Sequence, residues 1–307
     1  MRRLFIATAL IIIIVSTLTA YTYVNPIGPT LIPVARMIAD SNNNGVVAGF
    51  QLSYWKTVDE AISNVVSGKA DIILLPVVIG AQLYAKGVPI KLAAVSMWNG
   101  FYFVSKEEIN TIEDLSGKVV YTLHSPGQTA DVILKTAVDI AGLSRNSISI
   151  LYAAGPEAIQ LFAAGKADAL LVPEPFASLA CFKVQGAEKY LPIQEMWKSI
   201  STEYPNVPTS GIFVKAGIPR DVVDSFLLLY EQSLLLSLAN PEETAKIVSE
   251  KMGGFPVPVL LKAMPGILFK FERSDTARGS VENYLNTLKK IEPELLDQGI
   301  DFENLFW

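Results

Sequence analysis

Cysteine and histidine are nearly missing from these 307 residues: Cys181 and His124 are the only ones of their kind. A single thiol cannot close an internal disulfide, and one thiol with one imidazole cannot assemble the usual Cys/His sets that hold zinc. Stability must come from packing, and with half the residues hydrophobic a large core is available. No charge of one sign dominates either. There are 25 basic and 30 acidic residues, a net charge of −5 and no long basic run, so the electrostatic footprint of a nucleic-acid binder is absent. The strings GxGxxG and GxxxxGK[ST] do not occur, and no nucleotide or other cofactor is expected. His124 stands next to Ser125, but neighbours in one strand-to-loop segment are poorly placed to act as base and nucleophile, so no catalytic residue is assigned and the chain is read as a non-enzyme.

What the sequence does contain begins with Met1, Arg2 and Arg3, followed by an apolar stretch from Leu4 to Leu18. A positive start and an apolar run of this length make residues 1–19 a signal peptide or an N-terminal anchor, and place the rest outside the cytoplasm. No cysteine lies near the run to carry a lipid, so any tether to the membrane is the segment itself.

The strongest internal signal is a repeat. Glu60 to Pro76, EAISNVVSGKADIILLP, and Glu157 to Pro173, EAIQLFAAGKADALLVP, are identical at nine of seventeen positions, ninety-seven residues apart. Each reads as an amphipathic helix, a Gly-Lys-Ala-Asp turn and a short, wholly apolar strand closed by proline. Two such αβ units so far apart point to two pseudo-equivalent α/β lobes joined by two crossings, with strands alternating with helices favouring parallel sheets. The apolar strands Phe101 to Lys106 and Gly211 to Lys215, both ending in lysine, mark the crossings. Lobe 1 is expected at 20–100 and 208–307, and lobe 2 at 101–207. A helix is expected from Leu31 to Asp40.

Candidate binding residues follow from strand ends and helix starts, where backbone N–H groups and the positive helix end favour an anion or polar oxygen. Gly28, Pro29 and Thr30 form such a loop in lobe 1; Ser125, Gln128 and Thr129 form one in lobe 2. The ends of the repeat strands add Pro76 and Val77 in one copy and Glu174, flanked by prolines, in the other. Trp98 at the first crossing and Thr209 at the second complete the set. No lysine or arginine falls in the loops expected to line the cleft, and Glu174 would repel an anion. The combination therefore fits a zwitterion or neutral heterocycle as well as an oxyanion.

Gly28-Pro29-Thr30, Gly68-Lys69-Ala70-Asp71, Asp114-Leu115-Ser116-Gly117-Lys118 and Gly165-Lys166-Ala167-Asp168 followed by Pro173-Glu174-Pro175-Phe176 occur in an order that resembles the nitrate, sulfonate, taurine and thiamine-precursor solute-binding proteins of ABC importers. The resemblance covers residues 20 to about 215. It implies a type II periplasmic-binding-protein fold, hinge closure over a small-molecule ligand, and a permease and an ATPase as partners. The competing expectation is an enzyme of the menaquinone-pathway type on the same fold, acting on a small carboxylate.

Overall fold

The computed structural model describes residues 21–123, 126–296 and 299–307; the expectations for residues 1–19 and for Ser125 lie outside the described residues. Twelve strands are present among them: β1 (Tyr21–Pro26), β2 (Val46–Val47), β3 (Phe50–Trp55), β4 (Ile72–Pro76), β5 (Ile90–Trp98), β6 (Phe101–Ser105), β7 (Val119–Thr122), β8 (Ser149–Tyr152), β9 (Ala169–Pro173), β10 (Glu188–Pro192), β11 (Pro208–Lys215) and β12 (Leu268–Arg273). They form two sheets, one of seven strands in the order β12-β5-β11-β4-β1-β3-β2 and one of five in the order β10-β6-β9-β7-β8. Helices pack on both, so the molecule is a two-lobed α/β protein.

The sheets are mixed rather than purely parallel. β1 runs parallel to β3 and β4, and β7 parallel to β8 and β9. β11 is antiparallel to β4 and β5, and β6 is antiparallel to β9. The departure from the expected parallel sheet comes from the two crossings, because a strand that returns from the other lobe enters from the opposite end. The expected helix Leu31–Asp40 is also divided. A 3₁₀ turn over Pro29–Leu31 precedes the helix Ala35–Asp40, with Pro33 between them.

The repeated sequence is a repeated structure with an identifiable cause. Helix Val58–Val66 leads to β4, and helix Gly155–Ala163 leads to β9. In the first copy the Asp71 carboxylate accepts the N–H of Thr22 at 2.9 Å, while the Asp71 N–H reaches the Thr22 carbonyl at 3.1 Å. In the second, Asp168 accepts from Val119 N–H at 2.7 Å and donates its own N–H to the Val119 carbonyl at 2.9 Å. Each aspartate thereby clasps the start of the parallel strand beside it and fixes the register of the αβ unit. The left-handed turn that delivers it uses Gly68 and Gly165, both at φ near +70°, where other residues are strained.

The two crossings are laced together. Asn99, itself left-handed at φ 57°, donates its N–H to the Val207 carbonyl at 3.0 Å, and its side-chain carbonyl accepts from Val207 N–H at 2.9 Å. Its amide group donates to Asn206 at 2.9 Å. One residue thus ties the outgoing chain to the returning one at the hinge.

Four tyrosine hydroxyls are held inside: Tyr23 on Asn25, Tyr230 on Ser96, Tyr284 on Thr129 and Tyr152 on Asp131, all within 2.9 Å. Burial, before any neighbouring charge, raises the pKa of each above the ordinary 10.0. A raised folded-state pKa means that stability is fully present below the unfolded value and declines as pH rises past it. The urea midpoint should therefore hold to about pH 9 and fall steeply beyond about pH 10, and Tyr230→Phe should make that fall shallower. The clasps predict a second outcome. Asp71→Ala, which removes a half-buried charged acceptor, should cost about 1–2 kcal/mol in urea unfolding, and Asp168→Ala, at an exposed position, about 0.5–1 kcal/mol.

Candidate functional site

A cavity of about 340 Å³ lies between the lobes. It is built at the carboxyl ends of the parallel strands, where loops replace the ladder and open α/β sheets take ligands. Lobe 1 supplies Gly28, Pro29 and Thr30 after β1, Trp55 at the end of β3 with Lys56 next to it, Pro76 at the end of β4, Met97 near the end of β5, and Thr209 and Ser210 at the start of β11. Lobe 2 supplies Phe101, Leu123, Gln128, Thr129, Gly155, Pro173 and Phe176. Of the residues expected from sequence, Gly28, Pro29, Thr30, Pro76, Gln128, Thr129 and Thr209 therefore meet around one space.

Three others face elsewhere. Side chains alternate across a strand, so once Met97 takes the cavity side Trp98 lies on the opposite face of β5. Its indole N–H donates to the Lys270 carbonyl at 2.8 Å, and its ring borders a small separate depression beside Tyr204 and Asn206. Val77 opens the helix Val77–Ala85 and is sealed into the core at 1% exposure. Glu174 is buried to 1% exposure and fully engaged within lobe 2. Its Oε1 accepts from Lys189 Nζ at 2.6 Å and from Ser178 Oγ at 3.0 Å, and its Oε2 accepts the Ser178 N–H at 2.9 Å. The neighbours Pro173 and Phe176, not the carboxylate, reach the cavity.

Lys56 corrects the expectation that no cation would line the cleft. Its backbone is set by a reciprocal helix cap: Thr57 Oγ1 accepts the Glu60 N–H at 3.2 Å, and Glu60 Oε2 accepts the Lys56 N–H at 2.7 Å. The Thr-Val-Asp-Glu string that makes this cap is visible in the sequence and places Lys56 at the helix entrance. Among the described lining residues there is one lysine and no carboxylate, and the Lys56 ammonium has no ion-pair partner there. The polar groups are otherwise hydroxyls and amides. Thr209 donates to the Met97 carbonyl at 2.8 Å, Thr129 shares a 2.6 Å hydrogen bond with Tyr284, and Ser210 has no side-chain partner among the described residues.

Aromatic surface supplies the rest of the wall. The Trp55 indole N–H is tied to the Leu74 carbonyl at 3.1 Å, so the ring offers an apolar surface. Phe101 and Phe176 stand on the lobe 2 side. Helix Thr129–Ile140 begins at the cavity edge, and its first N–H groups have no intrahelical acceptor. The loop before it is pinned from behind by the fully buried Asp131, which accepts from Gly127 N–H and Tyr152 O–H, both at 2.7 Å, and pairs with Lys135 at 2.8 Å. An anion at that helix start would meet a prepaid, rigid set of donors.

Gly155 has to be glycine because of Phe176. A Cβ at 155 would stand 2.5 Å from the Phe176 ring, which a real side chain cannot tolerate. Gly155→Ala should therefore drive the ring into the cavity and cost about 1–3 kcal/mol of stability. Adding Phe176→Leu should restore most of that stability, as read by urea unfolding.

Comparisons with known proteins bear on the fold and the family. No curated protein sequence matches the chain. An ABC transporter structure from Parabacteroides distasonis superposes with a TM-score of 0.80 at 20% identity, covering 94% of this chain and 99% of that one. The periplasmic aliphatic sulphonate binding protein of Escherichia coli superposes with a TM-score of 0.72 at 16% identity, covering 94% and 92%. The alkanesulfonate-binding protein of Xanthomonas axonopodis pv. citri, bound to MOPS, does so at 0.68 and 13%, covering 94% and 98%. These likenesses show the fold. Residues 48–244, more than half of the chain, match the sequence model described as NMT1/THI5 like, and the chain belongs to that family.

Proposed function

We propose that this protein is the extracytoplasmic solute-binding component of an ABC importer, and that it encloses a small organic anion between its lobes. The observation that carries the reading is the charge of the cavity: both lobes line it, Lys56 is its one charged group among the described residues, and a helix start faces it from lobe 2. Trp55, Phe101 and Phe176 favour a solute with an apolar or planar body behind its charged head. Solved relatives that bind sulfonates support the same class.

Closure follows from the arrangement. A solute that touches Trp55 and Lys56 on one side and Gln128 and Phe176 on the other gains all its contacts only when the lobes are together, so it stabilises the closed state by its differential affinity. A permease and an ATPase are the partners such a component serves. Residues 1–19 would export the protein or hold it at the outer face of the membrane.

A thermal-shift screen against alkanesulfonates, aryl sulfonates, small carboxylates, nitrate, taurine and neutral heterocycles tests the reading. A solute at a hundredfold excess over its dissociation constant should add about 2.7 kcal/mol. Lys56→Gln should weaken an anionic solute about five- to tenfold and leave a neutral analogue unaffected, and Trp55→Ala should weaken both. Tightest binding by a neutral or cationic solute would refute the organic-anion assignment.

A further inference from the structure

The end of lobe 1 remote from the cavity carries a second patterned surface. Three lysines gather there from three different elements: Lys69 after the helix Val58–Val66, Lys86 after the helix Val77–Ala85, and Lys215 at the end of β11. They are exposed, and none has an ion pair among the described residues. Lys86 and Lys215 flank an open groove of about 310 Å³ whose floor and walls include Val65, Val66, Val88 and Pro89, and Val66 is 65% exposed. The carboxylates nearby are already engaged: Asp71 by the Thr22 N–H, and Asp301 by the Glu303 N–H and the Asn304 amide. Lysines that follow helix ends complement the helix dipole, but that role does not account for Lys215 on a strand or for an exposed valine among the charges.

Position decides what this surface meets. β1 starts at Tyr21 on this same face, where Thr22 is clasped by Asp71 and the Lys215 N–H bonds the Asp71 carbonyl at 2.9 Å. The apolar run ends at Leu18, so only Thr19 and Ala20 separate it from β1. Two residues span about 7 Å at most. A run seated in a bilayer would hold this face against the headgroups.

We propose that the base of lobe 1, presented by Lys69, Lys86 and Lys215 around Val66, is a docking surface for an anionic bilayer. The assignment rests on residues 1–19 being retained as an anchor. The lysines meet phosphate headgroups, Val66 and its apolar neighbours meet the interface, and the cavity at the opposite strand ends stays clear of the membrane.

The test uses the full chain, extracted from membranes, sequenced at its N-terminus and reconstituted in nanodiscs of phosphatidylcholine with or without about one quarter phosphatidylglycerol. Amine acylation read by peptide mass spectrometry should be about fivefold slower at Lys69, Lys86 and Lys215 in the anionic discs, with Lys166 and Lys183 of lobe 2 unchanged and the protection lost at about 0.5 M salt. Equal rates in both discs with Met1 retained would overturn the docking surface and leave the anchor standing. Recovery of a soluble chain beginning near Tyr21 would overturn both. Solute-induced stabilisation is measured separately on the same material, so the solute-binding reading stands or falls independently.

Discussion

Two aspartates, one in each lobe, clasp the start of a neighbouring strand, and the level at which the cavity loops emerge depends on that register. Asp71 and Asp168 each exchange two hydrogen bonds with the first residues of the parallel strand next door. Those bonds fix where β1 and β4, and β7 and β9, stand relative to one another at one end of the sheet. With the register set there, the opposite ends emerge at a defined level, and the loops that follow them surround one space. Burial drives both lobes together, the apolar pattern restricts the register, and the clasp pins it at one end.

The charged pairs that hold lobe 2 together are kept out of the cavity wall. Gly28, Lys56, Gln128 and Ser210 sit on loops or strand ends, whereas the buried charges that stabilise the lobes stand one layer behind. Asp131 with Lys135, and Glu174 with Lys189, are complete pairs whose remaining oxygens are taken by backbone or hydroxyl donors. A buried carboxylate so satisfied is inert toward a solute. The cavity thereby keeps a positive character even though two acidic side chains lie close beneath its lobe 2 wall.

Much of the scaffold was legible because the repeat encodes it. Glycine, lysine, alanine and aspartate between an amphipathic helix and an apolar strand specify a helix stop, a turn and a clasp, each with its own local chemistry. The strand-end loops were legible for the same reason, and seven of the expected lining residues do surround the cavity. Side-chain direction was not. Trp98 and Met97 are neighbours in sequence, and which of them faces the cavity depends on the pleat phase of β5, set by its pairing with β11 more than one hundred residues away. Glu174 looked like a ligand group because its partner Lys189 lies on β10, a strand whose position no local signal reveals. Lys56 carries no glycine or proline loop signal, because it passes directly from β3 into the Thr57 cap, and only the packing of the strand brings it to the wall.

The bond between Thr129 and Tyr284 joins lobe 2 to a helix from the C-terminal part of the chain. Asn283 reaches Ser201 at 2.8 Å, and Tyr102 reaches the Gly266 carbonyl at 2.7 Å, so the seam is stitched at several points. Under the proposed solute-binding function, capture from solution would be a gated event. A solute would enter only while those bonds were parted, and its apparent association would be slowed by that fraction below the rate of diffusional encounter. The same stitching would lengthen residence once a solute was inside, and a protein built for that function would act as a timed carrier more than as a sampler of its surroundings.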